Sequence, residues 1–382
     1  MKTLRIMICA GEISGDMYGA VLVRELRRIT GREIEFFGIG GDRMKEEGVE
    51  LFAHASQIGV MGFVEVAKRA PMFLRLEKTL KGLLRKRKPD LLLTIDYPGL
   101  NMRLAAEAKK LGIRTAHYVC PQVWAWKQGR IPKIAAIYDR LVALFPFEPK
   151  LFAGTNLAVD FVGHPLVDQI EEFRKEPKTP LPWGEGHKIA IFAGSRHNEV
   201  KRILPDVLAG AAMAEKRLGP CTFLLPVPSA ERAEDVRATI AAATRKPHHI
   251  EVVEGRSRQV LLEAEAGIVK SGTSTLEAAL LDCPFFLVYR ANGLSFRIGK
   301  LLVGKRIRFI GLVNIVPDRS ICPELIQDDL TPEAVRDNLV SLILDPEVRA
   351  RQKEGLADVR RLLGEAGATR RAAELFAKEL PR

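Results

Sequence analysis

Residues 268–281 read IVKSGTSTLEAALL, and the order of residue types in this stretch decides the fold. An apolar run, Ile268-Val269, stops at a turn of small residues: Ser271, Gly272, Thr273, Ser274 and Thr275. A helical pattern follows at once, with Leu276, Ala279 and Leu280 on one face and Glu277 one turn in. Gly272 lets a backbone approach closely. The hydroxyls and the free N–H groups of the new helix then face one spot, which is how a strand-to-helix turn holds phosphate.

Working outward, the same alternation recurs through the chain. In the first half, residues 4–10, 33–40, 90–96, 114–119, 140–145 and 158–163 read as strands. Their apolar runs are near-continuous rather than alternating, as in strands buried on both faces. Helical stretches lie between them, including 16–29, 72–87 and 101–111. Residues 171–187 are rich in proline, glycine and charge, the composition of a linker. A second series follows, with strands at 189–194, 222–227, 250–255, 266–272 and 285–290 and helices at 199–217, 229–243, 257–264 and 274–281. Residues 332–380 read as all-helical. The expected class is α/β: two doubly wound parallel-sheet domains facing a cleft, with a helical C-terminal segment. The expected boundaries are 1–170 and 188–345, joined by the linker. Residues 346–382 are left as helices that pack on the first domain or on a partner subunit.

At 382 residues the chain is too long for one ordinary core. Hydrophobic residues are 47% and charged residues 28%, the balance of a soluble globular protein. No apolar stretch approaches the ~20 residues that span a bilayer. The start, MKTLRIMICAGEISGD, is broken by Arg5 and soon meets Glu12 and Asp16, so it reads as a buried strand rather than a signal peptide. Five scattered cysteines offer neither metal-ligand spacing nor a disulfide framework, which points to a reducing cytoplasm. The net charge of +12 is uneven: residues 1–165 hold 26 Lys and Arg against 17 Asp and Glu. The first half therefore suits an acidic partner. Nucleic acid is not indicated, because no recognition motif accompanies the charge.

Strand ends in the second half carry a matched set of ligand groups. Gly194-Ser195-Arg196 ends the first strand, and the forked guanidinium of Arg196 suits a diphosphate. Ser271, Gly272, Thr273 and Ser274 supply a neutral cradle, and the Glu277 carboxylate can accept two ribose hydroxyls. Arg290 ends the next strand. Asn314, in GLVNIV, ends another apolar run, from which an amide could reach a base or a phosphate. Taken singly, these read as turns, caps or solvated charges. On successive strand ends they read as a nucleotide-diphosphate site. The chain lacks G-x-x-x-x-G-K-[ST], which argues against a P-loop NTPase. It also lacks G-x-G-x-x-G before the first helix, which argues against a dinucleotide dehydrogenase.

In the first half, Ser14, Gly15 and Asp16 follow the first strand in an anion-tolerant turn, although Asp16 alone reads as a helix N-terminal charge. Asp96 ends the run DLLLTID, where a carboxylate can serve as general base; a turn cap is the plainer reading. Trp124 and Trp126 wall a pocket or belong to the core. His164 lines the hinge or packs. Residues 68–88 hold nine Lys or Arg and one Glu. Phe73 and leucines recur there at helical spacing, and Lys68, Arg69, Lys81, Arg85 and Arg87 supply charge. Such a helix lies on an anionic membrane or simply presents a solvated face. Met61 and Phe63 add a greasy loop beside it.

These blocks resemble lipid A disaccharide synthase, an inverting glycosyltransferase of the GT-B class. The resemblance rests on AGEISGD at 10–16, GIGGDRM at 38–44, GVMGFVEV at 59–66, IDYPGLN at 95–101, YVCPQVWAWKQGR at 118–130, FVGHPLVD at 161–168, AGSR at 193–196, KSGTSTLE at 270–277, VNIV at 313–316 and PELIQDD at 323–329. It implies transfer from UDP-2,3-diacylglucosamine to the 6-hydroxyl of 2,3-diacylglucosamine 1-phosphate. The products would be a β(1→6) disaccharide 1-phosphate and UDP. It implies Asp96 as general base, and Arg196, Glu277 and Asn314 in activity or nucleotide binding. It implies work without metal or cofactor, peripherally at the inner face of the cytoplasmic membrane. Members can also form homodimers by exchanging C-terminal segments, which the helical tail here allows. Ala193 departs from the proline or leucine often found before the GSR glycine.

Two rivals stand beside this reading. One is another membrane-associated UDP-sugar enzyme, such as an undecaprenyl-linked N-acetylglucosaminyltransferase or a UDP-sugar epimerase; the blocks at 118–130 and 270–277 disfavour it. The other is a non-catalytic membrane-surface lipid-binding protein, which has no need of Asp96 and Glu277 at strand and helix ends.

Overall fold

The computed structural model describes residues 3–58, 70–125, 128–292, 296 and 308–381. The chain divides into two compact units, residues 1–168 with 364–382 and residues 169–363. Among the described residues, the first unit holds a seven-stranded sheet of β1 (Leu4–Ala10), β2 (Ile34–Gly40), β3 (Glu50–His54), β4 (Leu91–Ile95), β5 (Arg114–Tyr118), β6 (Arg140–Ala143) and β7 (Ala158–Phe161). Their spatial order is β3-β2-β1-β4-β5-β6-β7, all parallel. The second unit holds a six-stranded sheet of β8 (His187–Phe192), β9 (Cys221–Val227), β10 (His249–Glu254), β11 (Ala266–Lys270), β12 (Phe285–Tyr289) and β13 (Glu324–Ile326). Its order is β10-β9-β8-β11-β12-β13, again parallel. Two parallel-sheet α/β domains and a helical C-terminal segment are thus present, as the apolar runs predict.

Burial explains those runs. Ile6, Ile8, Leu91 and Leu93 pack on one face of the first sheet, and Met7, Cys9 and Leu92 on the other. Each strand therefore needs apolar residues at successive positions. The runs do not announce β3 and β13. Both are short strands at sheet edges, and β3 is mostly half-buried, so neither requires continuous apolar sequence.

The domain limits differ from the expected ones. The boundary at 168/169 falls inside the helix Pro165–Lys175, so the expected linker at 171–187 begins within a helix. Val167, Ile170 and Phe173 are buried at helical spacing, a signal masked by the charges around them. The expected terminal segment 346–382 is also divided. Helix Pro346–Leu363 belongs to the second unit, where Gln352 bonds both the N–H (2.9 Å) and the carbonyl (2.8 Å) of Phe285. Helix Ala368–Ala377 returns to the first unit of its own chain. There Ala372, Ala373 and Phe376 join the cluster over Ile6, Ile8 and Leu93. Asp168 accepts from the N–H of Gly367 at the start of that helix, and Glu379 pairs with Arg114 and Arg140.

Phe376 is fully buried. Phe376→Ala should cost about 3–5 kcal/mol, read as a lower melting temperature for the unit carrying β1–β7. An unchanged melting temperature would mean that the helix does not seal that face.

Candidate active site

Where a parallel sheet reverses its strand order, the turns on either side leave in opposite directions and open a crevice. In the second unit the reversal lies between β8 and β11. A cavity of about 700 Å³ is found there, lined by Gly194, Ser195 and Arg196 after β8 and by residues 270–274 after β11. Arg196, Ser271, Gly272, Thr273 and Ser274 are thus brought together.

One carboxylate organises this mouth. Glu199, in the first turn of helix His197–Leu218, accepts the N–H groups of Ser195 (3.1 Å) and Arg196 (3.4 Å) through Oε2. Its Oε1 accepts from Arg196 Nη1 (3.1 Å) and pairs with Lys270 Nζ (3.0 Å). Burial pushes the Glu199 pKa up, but Lys270 and Arg196 outweigh it and hold the carboxyl below its usual range. Gly194 has φ +120°, and a Cβ there would lie 2.6 Å from Glu199 Oε2. The Arg196 side chain stays 78% exposed, open to a ligand. Two cations around one carboxylate leave the mouth positive, which suits a diphosphate. Sequence reasoning missed Lys270 and Glu199. Their signals were adjacency to the small-residue turn and a place in the first helical turn after GSR.

The other expected donor residues differ in role. Ser271 donates its N–H to Val288 O (3.1 Å) and its hydroxyl to Ile310 O (3.0 Å), so it braces the turn. Free donors come instead from Gly272, Thr273 and Ser274, where helix Ser274–Leu280 starts and its first N–H groups lack intrahelical partners. Glu277 lines an adjacent cavity of about 430 Å³ and pairs with Arg258 (3.0 Å); both cavities are bordered by Gly255 and Ser257. Arg290 spends its guanidinium on Asp206 and on the carbonyls of Arg202, Gln327 and Leu330, and it is not among the residues lining the cavity. Asn314 does not line that cavity either. Buried, it donates through Nδ2 to Cys322 O (2.8 Å) and Glu324 Oε1 (2.9 Å), and accepts through Oδ1 from the N–H groups of Ile321 (2.7 Å) and Cys322 (3.0 Å). Its amide is fully used. Glu324 also takes the N–H groups of Ile310 (3.0 Å) and Gly311 (2.9 Å), so this network supports Ser271 from behind.

In the first unit the reversal lies between β1 and β4. Asp96 directly follows β4. It sits at φ +47° and Tyr97 at φ +46°, a left-handed pair that L side chains enter at a cost. Burial pushes the Asp96 pKa up, and the Tyr97 N–H only partly opposes it. No ion pair with Asp96 is seen among the described residues, so the group keeps the character of a base. Ser14 is exposed in the first turn of helix Ile13–Thr30, while Gly15 packs against Ala10 and Ile95.

Asp16 is held by backbone. Its carboxylate accepts the N–H groups of Gly41 (2.6 Å), Met44 (3.0 Å) and Arg43 (3.2 Å), capping the helix Asp42–Glu46. Trp124 packs edge-on against Phe145 and Phe147, with ring centroids 6.4 and 5.7 Å apart, and so joins an aromatic cluster. Burial drives the His164 pKa down to about 4; its Nδ1 accepts from Leu166 N (3.1 Å), which makes it a neutral packing histidine.

Of the expected membrane-facing residues, Met61, Phe63, Lys68 and Arg69 lie outside the described residues, as does Trp126. Phe73 packs on the core. Lys81 pairs with Glu77 (2.7 Å) and Arg85 with Glu107 (2.6 Å). Arg87 lies over the rings of Phe37 and Phe52 at 4.8 and 5.1 Å and pairs with Glu50. The open face of helix Ala70–Arg87 includes Met72, Leu74, Arg75 and Lys78.

The family described as lipid-A-disaccharide synthetase matches residues 6–380. The lipid-A-disaccharide synthase of Syntrophus aciditrophicus (strain SB) is 38% identical over 377 residues, covering 98% of this chain and 97% of its own. That of Anaeromyxobacter sp. (strain K) is 39% identical over 378 residues, covering 97% and 96%. Among solved structures, Acinetobacter baumannii MurG superposes with a TM-score of 0.58 at 17% identity, covering 98% of this chain and 99% of its own. The calicheamicin glycosyltransferase CalG4 gives 0.61 at 14%, covering 99% and 98%. These two structures share the fold.

Gly194→Ala, which strains the backbone by about 1–3 kcal/mol and drives a Cβ onto Glu199, should weaken binding of a nucleoside diphosphate. Calorimetry checks this; unchanged affinity would mean that the Gly194–Glu199 contact does not shape the pocket.

Proposed function

Since the chain belongs to the lipid-A-disaccharide synthetase family, glycosyltransferases that make the lipid A disaccharide, we propose that its donor is UDP-2,3-diacylglucosamine and its acceptor 2,3-diacylglucosamine 1-phosphate. The observation that carries the donor half is the positive mouth of the pocket between β8 and β11, where Arg196 and Lys270 flank a turn of free N–H groups. The diphosphate binds there, and Glu277, one turn into the next helix, is the ribose acceptor.

Asp96 takes the proton from the acceptor's 6-hydroxyl. The freed oxygen bonds to the anomeric carbon from the side opposite the leaving group. The bond from that carbon to the UDP oxygen breaks, its electron pair leaves with UDP, and the configuration inverts. Charge gathers on the departing diphosphate, where Arg196, Lys270 and the turn N–H groups stabilise it.

Contact with an anionic membrane surface at its cytoplasmic face is part of this reading. Among the described residues no helix is long and apolar enough to cross a membrane. The support comes from helix Ala70–Arg87, where Leu74 is 67% and Met72 37% exposed beside Arg75 and Lys78.

Asp96→Asn should lower kcat by about 10²–10⁴-fold while leaving UDP affinity intact. Full activity would remove Asp96 from the reaction. The base must be ionised, and burial raises its pKa. The acidic limb of the rate profile should therefore fall at a pH above the ordinary carboxylate value as pH drops; a limb at the ordinary value would contradict the assignment. Replacing Arg75 and Lys78 with Glu should remove at least about 1 kcal/mol per basic residue from binding to anionic vesicles. Unchanged sedimentation with vesicles would leave the helix a solvated face.

A further inference from the structure

We propose that Asn101 is a positioning residue for glycosyl transfer: its side-chain amide holds the left-handed turn from which Asp96 projects. The inference rests on the reading of Asp96 as the base.

Asn101 lies in the first turns of helix Pro98–Lys110 and is buried. Its Nδ2 faces the carbonyls of Cys9 (3.3 Å), Ile95 (3.2 Å) and Asp96 itself (2.7 Å). Cys9 is near the end of β1 and Ile95 ends β4, the two strands that flank the reversal. The amide has two hydrogens for three acceptors, so one is shared. From the other side, Asp96 donates its N–H to Tyr118 O (2.9 Å) at the end of β5. The Tyr97 ring closes against Gly11, where a Cβ would lie 2.4 Å from it. Asp96 and Tyr97 both stand at positive φ, a region Asp enters at reduced cost but Tyr does not. Removing the amide takes away its contacts to all three carbonyls and lets the turn relax.

Nearby charges do not set the state of Asp96: burial raises its pKa and the Tyr97 N–H lowers it. Glu12 and Arg103 act on the neighbouring Tyr97. A relaxed turn exposes the carboxyl to water and moves its pKa down toward the ordinary value.

The test compares Asn101→Ala and Asn101→Asp in the full chain, with Asp96→Asn as control. Asn101→Ala should lower kcat about 100-fold, the scale of a misplaced reacting group, leave KM for the UDP-sugar unchanged and move the acidic limb to lower pH. Asn101→Asp keeps the shape but turns an oxygen onto the carbonyls, so it should be slower still. A residue that merely fills space would give the reverse order and an unmoved limb, and either result overturns the proposal. If melting shows Asn101→Ala unfolded, Asn101→Ser, which keeps one donor, replaces it with the same readings. Asp96→Asn separates the two levels. If it is inactive while Asn101→Ala keeps the normal rate and limb, only the positioning role falls. If it is fully active, the assignment of the base falls as well.

Discussion

Both sheets are parallel and buried on both faces, and each reverses its strand order once, at β1/β4 and at β8/β11. That constraint decides where chemistry can occur. A parallel strand ends with backbone groups that the next turn must satisfy, and the following helix starts with N–H groups that have no partner. Elsewhere along the sheet edge, neighbouring turns cover one another. At the reversal they diverge, and polar groups stay open to a ligand. The cavity between Gly194–Arg196 and Lys270–Ser274 lies at one reversal, and Asp96 at the other.

Carboxylates at strand and helix ends differ in task because their surroundings differ. Asp16 faces three backbone N–H groups and acts as a cap. Glu199 faces two cations and two N–H groups and orders the mouth of the donor pocket. Glu148 is buried and pushed up to about 7, yet both Leu144 and Phe145 donate to it at 2.9 Å, so it ties the turn after β6. Asp96 is drawn down by a single backbone N–H, and burial raises it. It is the one of these four whose oxygens are not committed to holding the fold.

Much of this was legible in the sequence, for reasons that can be named. Near-continuous apolar runs fix strands buried on both faces, as at Leu91–Ile95. Small residues between such a run and a helical pattern fix the turn at 271–274. The less legible positions are those whose partners lie far along the chain. Asp16 and Gly41 are 25 residues apart, and nothing local shows that one caps the other. Arg290 ends an apolar run as a ligand residue would, but Asp206, 84 residues away, claims it. Asn314 is taken by Cys322 and Glu324, which follow it only after a turn. Basic residues on helix Ala70–Arg87 looked alike in sequence, and only packing separates Arg87, held over two rings, from exposed Arg75 and Lys78.

The most direct test of the whole account is the structure of the product. The purified chain is incubated with UDP-2,3-diacylglucosamine and 2,3-diacylglucosamine 1-phosphate, and the anomeric proton coupling of the disaccharide is read by NMR alongside UDP release. The expected product carries a β(1→6) linkage, with UDP released only when the acceptor is present and in step with disaccharide. An α linkage, or UDP released without acceptor, would contradict it.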